Sequence, residues 1–195
     1  MRKVLLSSAL ILSAGMAAAQ ATDGPGPNMV IEVADAAGTA KGTIVLDLLP
    51  EQAPAHVERL VTLAKQGAYD GVVFHRVIEG FMAQTGDVEF GKQGTDLSRA
   101  GMGGSDLPDL PAEFSNTSFE AGTVGMARSQ DPDSANSQFF INLAPAPFLD
   151  GEYTVVGQLI EGADVLNSIK KGDPDPQANG AVDQPDYMAK VTIAE

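Results

Sequence analysis

The chain has 195 residues, no cysteine and a formal net charge of −14 at pH 7. Without cysteine no disulfide can form, so a folded domain must depend on its hydrophobic core for stability. The negative charge argues against nucleic acid or an anionic membrane as a partner, because both would repel the chain.

The N-terminus has the pattern of a secretory signal peptide, which we assign to residues 1–19. A positively charged start precedes a mostly apolar run from Val4 to Ala14, and Ala17 and Ala19 follow in the A-x-A arrangement. The apolar run is too short to span a bilayer. Cleavage is expected after Ala19, with a cut after Ala21 as the alternative. The mature protein is therefore expected in the periplasm or outside the cell.

The rest of the chain is expected to form one domain, residues 28–195, which a short Gly- and Pro-containing linker at 20–27 precedes. Apolar residues at helical spacing predict one helix from Pro54 to Gln66 and a second from Asp164 to Lys170. A long loop is expected from Phe90 to Ala112. Strands are predicted at Met29–Val33, Thr43–Leu49, Val72–Ile78, Phe81–Thr85, Thr123–Ala127, Ser137–Leu143, Thr154–Glu161 and Met188–Ala194. Many short strands with turn signals fit a closed antiparallel barrel, although periodicity alone leaves a β-sandwich open.

The most informative stretch runs from Phe74 to Asp87, with the sequence F-H-R-V-I-E-G-F-M-A-Q-T-G-D. Strand alternation places Phe74, Arg76 and Ile78 on one face. An arginine among apolar neighbours needs a reason, because charge is rarely buried without a partner. The arginine either pairs with a distant carboxylate or lies at the edge of an apolar pocket and donates hydrogen bonds to a ligand.

A second stretch, S-Q-F-F-I-N-L from Ser137 to Leu143, has a similar mixture of residues. Alternation places Gln138 and Phe140 on one face of this strand and Phe139 and Ile141 on the other. The two stretches together offer one cation, two glutamine amides and several aromatic rings. Because arginine does not lose its proton in proteins, such a site is suited to binding and polarising a ligand and not to proton transfer.

Other chemistries fit the sequence less well. Two histidines, His56 and His75, are too few for a His-rich zinc site. The G-G-S-D stretch at 103–106 is not a nucleophile elbow, which argues against a hydrolase. An imperfect EF-hand-like spacing occurs in the loop from Asp173 to Asp186, for which a solvated acidic loop is the simpler interpretation. Its members are Asp175, Gln177, Asn179, Gly180, Asp183 and Asp186.

These stretches resemble the signature of the cyclophilins, which are peptidyl-prolyl cis-trans isomerases. The family motif F-H-R-x-I-x-G-F-M-x-Q-x-G-D fits Phe74 to Asp87 at each fixed position, and S-Q-F-F-I fits Ser137 to Ile141. L-D-G fits at Leu149 to Gly151. The resemblance covers roughly residues 28 to 194. It implies a closed eight-stranded antiparallel β-barrel that is capped by two α-helices.

The resemblance also implies roles for individual residues. Arg76 matches the catalytic arginine of the family, and no cofactor or metal is needed. The substrate-binding set is then Phe81, Met82, Gln84, Ala127, Arg128, Gln138, Phe140, Phe148, Leu149 and Tyr153. Because alternation puts Phe81 and Met82 on opposite faces, the pocket requires a bulge or a strong twist near Gly80. His75 alternates away from Arg76 and is interpreted as structural.

Four residues depart from the common family pattern. Thr85 stands where glycine is common, Arg128 where asparagine is common, Phe148 where many members have tryptophan, and Tyr153 where many have histidine. The implied function is nevertheless cis-trans isomerisation of X-Pro bonds in exported or periplasmic polypeptides, by a monomer that assists their folding. Its expected partners are proline-containing peptides and unfolded exported proteins. The main alternative is a binding module of the same fold that holds such segments without turnover, against which the presence of Arg76 argues.

Overall fold

The computed structural model of the protein describes residues 21–194, so the expected signal peptide lies outside the described residues. Two α-helices are present, α1 (Pro54–Lys65) and α2 (Ala163–Ser168), together with a 3-10 turn at Pro147–Leu149. The nine strands are β1 (Asn28–Ala34), β2 (Ala40–Leu48), β3 (Val72–Val73), β4 (Arg76–Ile78), β5 (Met82–Thr85), β6 (Thr123–Met126), β7 (Phe139–Asn142), β8 (Val155–Glu161) and β9 (Tyr187–Ala194). Neither helix within residues 21–194 is long and apolar enough to cross a membrane.

All nine strands belong to one sheet, in the order β3-β9-β1-β2-β8-β6-β7-β5-β4. Every pair of neighbouring strands is antiparallel. The two edge strands, β3 and β4, follow one another in the chain, so the sheet curls strongly into a half-barrel. The fold is mainly β, as expected. The closed eight-stranded barrel is not confirmed, because the hydrogen-bonded order contains nine strands and is open.

The difference arises where the predicted strand Val72–Ile78 divides into β3 and β4. The N–H of Phe74 donates to the carbonyl of Asp186 at 2.9 Å, and the N–H of Val182 donates to the carbonyl of His75 at 3.1 Å. Loop residues thus replace a neighbouring strand at this edge. Phe74 and Val77 are both fully buried and belong to the main core. The prediction that Phe74 shares a face with Arg76 is therefore wrong.

The main core fills the concave side of the sheet. Helix α1 contributes Val57, Leu60 and Leu63, whose spacing places them on one side of the helix. Each fully buried aliphatic side chain contributes about 1.5–3 kcal/mol to stability. The cap of α1 comes from outside the helix, because the Glu113 carboxylate accepts hydrogen bonds from the N–H groups of Ala55 and His56, both at 3.2 Å.

A smaller hydrophobic cluster lies on the other face of the sheet. Its buried members are Met82, Phe119, Phe140, Ala146, Leu149 and Val155. In β7, Phe139 and Ile141 belong to the main core and Phe140 to the smaller cluster, which confirms the predicted alternation. The candidate site lies directly on this smaller cluster.

Candidate active site

A small cavity of about 130 Å³ opens over the smaller hydrophobic cluster; we call it the proline cavity, after the expected ligand. It is lined by Arg76, Phe81, Met82, Gln84, Ala127, Arg128, Phe140, Leu149 and Tyr153. Of the sequence-predicted site residues, all but Gln138 and Phe148 line this cavity. The fold thus brings together residues that lie far apart in the chain.

Strand pairing explains how these residues meet. Arg76 in β4 lies opposite Gln84 in β5, Gln84 lies opposite Phe140 in β7, and Phe140 lies opposite Gly125 in β6. Directly opposed residues on neighbouring strands point to the same face of a sheet. Four adjacent strands therefore present one row of residues to the cavity.

Aromatic packing forms the floor of the proline cavity. The ring of Phe140 stacks on that of Phe119 with centroids 5.7 Å apart and meets the edge of Tyr153, also at 5.7 Å. Gly125 makes room for this arrangement, because a Cβ atom there would lie 2.5 Å from Phe140 Cζ and 2.7 Å from Phe119 Cε1. Sequence reasoning missed both Phe119 and Gly125, since neither belongs to a recognised motif.

Phe81 and Met82 reach the same cavity without a β-bulge. The pairing of Ile78 with Met82 is regular. Phe81 lies in the turn before β5, and its N–H donates to the carbonyl of Ile78 at 3.0 Å. Gly80 within this turn has a φ of 70°, which glycine adopts readily. The expected bulge or twist near Gly80 is thus replaced by a turn, and strand alternation does not apply to Phe81.

Arg76 lies half-buried at the edge of the proline cavity. Its Nη1 donates to Gln84 Oε1 at 3.3 Å, while Nε and Nη2 donate to the backbone oxygen and side-chain Oδ1 of Asn179 at 3.0 and 2.9 Å. Burial lowers the pKa of the guanidinium from its ordinary value, but arginine remains protonated in proteins. Since a guanidinium carries five N–H donors, these contacts leave a donor for a ligand.

The orientation of Gln84 is set by a second glutamine. Gln84 Nε2 donates to Gln138 Oε1 at 3.0 Å, and Gln138 Nε2 donates to the carbonyl oxygens of Gly101 and Gly103 at 3.0 and 2.8 Å. Gln138 therefore acts behind the cavity wall, where it fixes the amide that faces Arg76. A chain of hydrogen bonds connects Arg76 to the loop at 101–103.

Two other predicted residues lie at the rim. The Arg128 guanidinium lies 4.4 Å from the centre of the Tyr153 ring and donates to the carbonyl of Glu152 through Nε at 3.1 Å and Nη2 at 2.9 Å. Phe148 is 68% exposed, with its ring 5.4 Å from that of Phe81. Phe148 thus borders the proline cavity from outside and does not line it.

Asn179 contacts Arg76 in the site, and the sequence did not predict this contact. It lies in the loop between α2 and β9 with a φ of 50°, a left-handed conformation that asparagine tolerates better than most residues. This conformation lets the backbone oxygen and the side chain of one residue both face the guanidinium. The Asn179-Gly180 pair is a turn signal in a polar loop, and it was the sequence feature that could have indicated this backbone conformation.

The two histidines lie outside the proline cavity. Burial lowers the pKa of His75 to about 4, against the opposing charge of Asp87, so His75 is neutral at pH 7. Its ring packs against Gly101, where a Cβ atom would lie 2.9 Å from His75 Cδ2. His56 is fully buried, with Nδ1 2.6 Å from Glu113 Oε2 at the start of α1. These positions suit structural roles.

The loop with EF-hand-like spacing has a different organisation. Asp186 Oδ2 accepts hydrogen bonds from Lys41 Nζ at 2.7 Å and from the N–H of Lys170 at 2.8 Å, and Asn179 binds Arg76. Helix α2 ends before this loop, which β9 follows. Within residues 21–194, no three His, Asp or Glu side chains are grouped so that they could hold a metal ion. Two members of the EF-hand-like spacing, Asp186 and Asn179, are thus hydrogen-bonded to groups of the protein itself.

Comparisons with known proteins agree with this geometry. The family model for cyclophilin type peptidyl-prolyl cis-trans isomerase/CLD matches residues 30–193. A probable peptidyl-prolyl cis-trans isomerase of Brucella suis is 49% identical, over 98% of this chain and 95% of that protein.

Solved structures show the same fold. Cyclophilin AquaCyp293 from Hirschia baltica superposes with a TM-score of 0.69 at 26% identity, covering 87% of this chain and 74% of its own. A cyclophilin type isomerase of Cryptosporidium parvum, crystallised in the presence of the dipeptide Ala-Pro, superposes with a TM-score of 0.70 at 24% identity, covering 86% of this chain and 99% of its own. The family match spans most of the domain and the near relative spans almost the whole chain, so this protein belongs to the cyclophilin-type peptidyl-prolyl cis-trans isomerases, enzymes that interconvert cis and trans peptide bonds before proline.

Proposed function

We propose that this isomerase acts as a monomer on X-Pro bonds of unfolded exported proteins and thereby assists their folding. The observation that carries the proposal is a small cavity with an aromatic floor and the half-buried Arg76 at its edge. An apolar ring fits such a floor, and a peptide carbonyl or a prolyl nitrogen fits the arginine. The crystal structure of the Cryptosporidium parvum relative with Ala-Pro supports a proline peptide as the ligand class.

The proposed mechanism acts on the amide bond before proline. Rotation about this bond is slow because resonance gives it partial double-bond character, with a barrier of about 20 kcal/mol. Twisting the bond breaks the resonance and returns the lone pair to the prolyl nitrogen. Arg76 then donates a hydrogen bond to this nitrogen or to a neighbouring carbonyl oxygen, which stabilises the twisted state more than either planar state.

One hydrogen bond supplies only part of the acceleration. A millionfold rate increase requires about 8 kcal/mol, whereas a charge-assisted hydrogen bond contributes about 1.5–3 kcal/mol. The rest is expected from the proline cavity, which holds the ring while the preceding residue rotates, and from exclusion of water around the less polar twisted amide. No cofactor and no covalent step are required.

Refolding of a denatured protein whose slow phase is limited by X-Pro isomerisation tests the folding function. Catalytic amounts of the enzyme are expected to accelerate that phase, because the phase lasts tens of seconds without a catalyst. The alternative is a binding module that holds proline segments without turnover. Such a module would reduce aggregation but leave the slow phase unchanged, and that outcome would refute the proposal.

Export is a separate part of the proposal and rests on the pattern of residues 1–19. We expect the mature protein to begin at Gln20, or at Thr22 if the cut follows Ala21. N-terminal sequencing of the protein from its native host measures this directly. Soluble mature protein that retains Met1 would show that export by this route does not occur.

We expect Asn179 to be a positioning residue for Arg76. Asn179→Gly keeps the left-handed backbone but removes the Oδ1 acceptor, and should lower kcat for a short proline peptide about threefold to tenfold with little change in KM. Asn179→Asp retains an acceptor oxygen and should recover most of the rate. The protease-coupled isomerase assay measures both variants. Equal rates for the glycine variant and the wild type would show that the side chain has no positioning role.

A further inference from the structure

A second cavity of about 410 Å³ adjoins the proline cavity and is mostly polar. The two cavities share Gln84, Ala127 and Arg128 as lining residues. The second cavity therefore lies within reach of the residues next to a proline that occupies the first cavity. Met102 lies on the rim of this second cavity and is 76% exposed.

The backbone that carries Met102 is held on both sides. The N–H groups of Gly101 and Gly103 donate to Asp87 Oδ2 at 2.7 and 3.0 Å, and their carbonyl oxygens accept from Gln138 Nε2. The N–H of Met102 itself donates to the carbonyl of Arg99 at 3.0 Å. The backbone is thus fixed, while the flexible thioether that it carries adapts to ligands of different shape.

Exposure sets Met102 apart from the other methionines of residues 21–194. These are Met29, Met82, Met126 and Met188, and each is no more than 1% exposed. An oxidant in solution therefore reaches the sulfur of Met102 while the folded chain shields the others, since methionine oxidation depends on access.

We propose that Met102 is a peroxide-sensitive modification site that adjusts the binding of peptides across these two cavities. The Met102 sulfur attacks one oxygen of the peroxide, the O–O bond breaks, and sulfoxide and water (or an alcohol) are formed. Sulfur is oxidised by two electrons and the peroxide is reduced by two, so no further reactant is needed. The sulfoxide replaces an apolar contact surface by a polar one that is costly to desolvate.

The consequence for peptides rests on the proposed function of the proline cavity. A peptide with a large apolar residue beside its proline contacts the thioether of Met102, whereas a peptide with alanine there does not. Loss of an apolar contact the size of one methylene group changes affinity about fourfold. Oxidation is therefore expected to raise KM for the first class of peptide by that factor and to leave the second class unaffected.

The experiment treats the folded full chain with dilute hydrogen peroxide and follows each methionine by peptide mapping and mass spectrometry. Met102 sulfoxide is expected to form at least about tenfold faster than sulfoxide at the buried methionines, and peptides that contain Met1 or Met16 are scored separately. Turnover is measured before and after treatment on peptides with leucine or alanine at each position adjacent to proline. Methionine sulfoxide reductase should restore the original KM.

Met102→Leu is the matched control, because leucine keeps an apolar surface but cannot form a sulfoxide. Peroxide should not change this variant relative to its own untreated value. A loss of activity that persists in Met102→Leu would assign the effect to Met82 or another residue and overturn the proposal. Complete Met102 oxidation with unchanged KM for every leucine peptide would also overturn the proposal. The proposed isomerase function is judged separately, by the turnover of the untreated enzyme, and does not depend on this result.

Discussion

Replacement of Arg76 by alanine is expected to lower kcat/KM for a short proline peptide about tenfold to a hundredfold without unfolding the protein. The loss corresponds to one charge-assisted hydrogen bond of about 1.5–3 kcal/mol in the twisted state. The fold should survive because Arg76 lies on the outer face of the sheet. Its hydrogen bonds to Asn179 are exposed, so water can replace the guanidinium there. The protease-coupled assay and circular dichroism together measure both effects.

Two further substitutions sharpen this test. Arg76→Lys should rescue little of the activity, because lysine lacks the planar fork that binds Gln84 and Asn179 together. Lys190→Ala is a matched control that also removes a cation, and Lys190 pairs on the surface with Asp70 at 2.7 Å. Exposed pairs of this kind contribute little to stability, so this control should turn over normally. Equal turnover by wild type and Arg76→Ala, with matching spectra, would refute the proposed mechanism.

Replacement of Asp87 by alanine is expected to have the largest effect on stability. This fully buried carboxylate accepts four backbone N–H groups. Oδ1 binds those of Glu89 and Phe90 at 3.1 and 2.9 Å, and Oδ2 binds those of Gly101 and Gly103 at 2.7 and 3.0 Å. Each buried donor without a partner costs about 1–3 kcal/mol. We expect a loss of about 3–5 kcal/mol in the free energy of unfolding, since water recovers some of these bonds.

The isosteric variant Asp87→Asn separates hydrogen bonding from packing. Its amide keeps one acceptor oxygen, while its NH₂ group faces two backbone donors, so its destabilisation should approach that of the alanine variant. Asp96→Ala is the control, because the Asp96 carboxylate accepts from Ser98 in an exposed loop and its loss should change stability little. Urea unfolding measures all three. An alanine variant as stable as the wild type would show that the carboxylate does not hold this loop.

Asp87 also connects stability with the site. Its Oδ2 accepts the N–H groups of Gly101 and Gly103, and the carbonyl oxygens of these two glycines orient Gln138. Faster amide hydrogen exchange at these glycines is therefore expected in both Asp87 variants. The G-D pair at the end of the main motif is thus a structural support for the chain of hydrogen bonds that reaches Arg76.

Several elements follow from local sequence. The alternation of Phe139, Phe140 and Ile141 is a property of any strand with two buried faces, and the structure confirms it. Helix α1 begins at Pro54 as predicted and ends one residue early, at Lys65. Helix α2 ends at Ser168, before the predicted Lys170, because Ile169 is extended with a ψ of 133°. Residues 90–112 contain no helix or strand, as expected for the long loop.

The sequence by itself determined the family, the mainly β character, the two helices and the residues that line the proline cavity. These depend on patterns within a few neighbouring residues and on motifs that can be compared directly. Tertiary structure alone decided how the sheet curls, why Val72–Ile78 divides, and which distant groups complete the site. Asn179 binds Arg76 across 103 positions, and Glu113 caps α1 across 58. No local periodicity reports such contacts, because they arise only when the curled sheet brings separate loops to one edge.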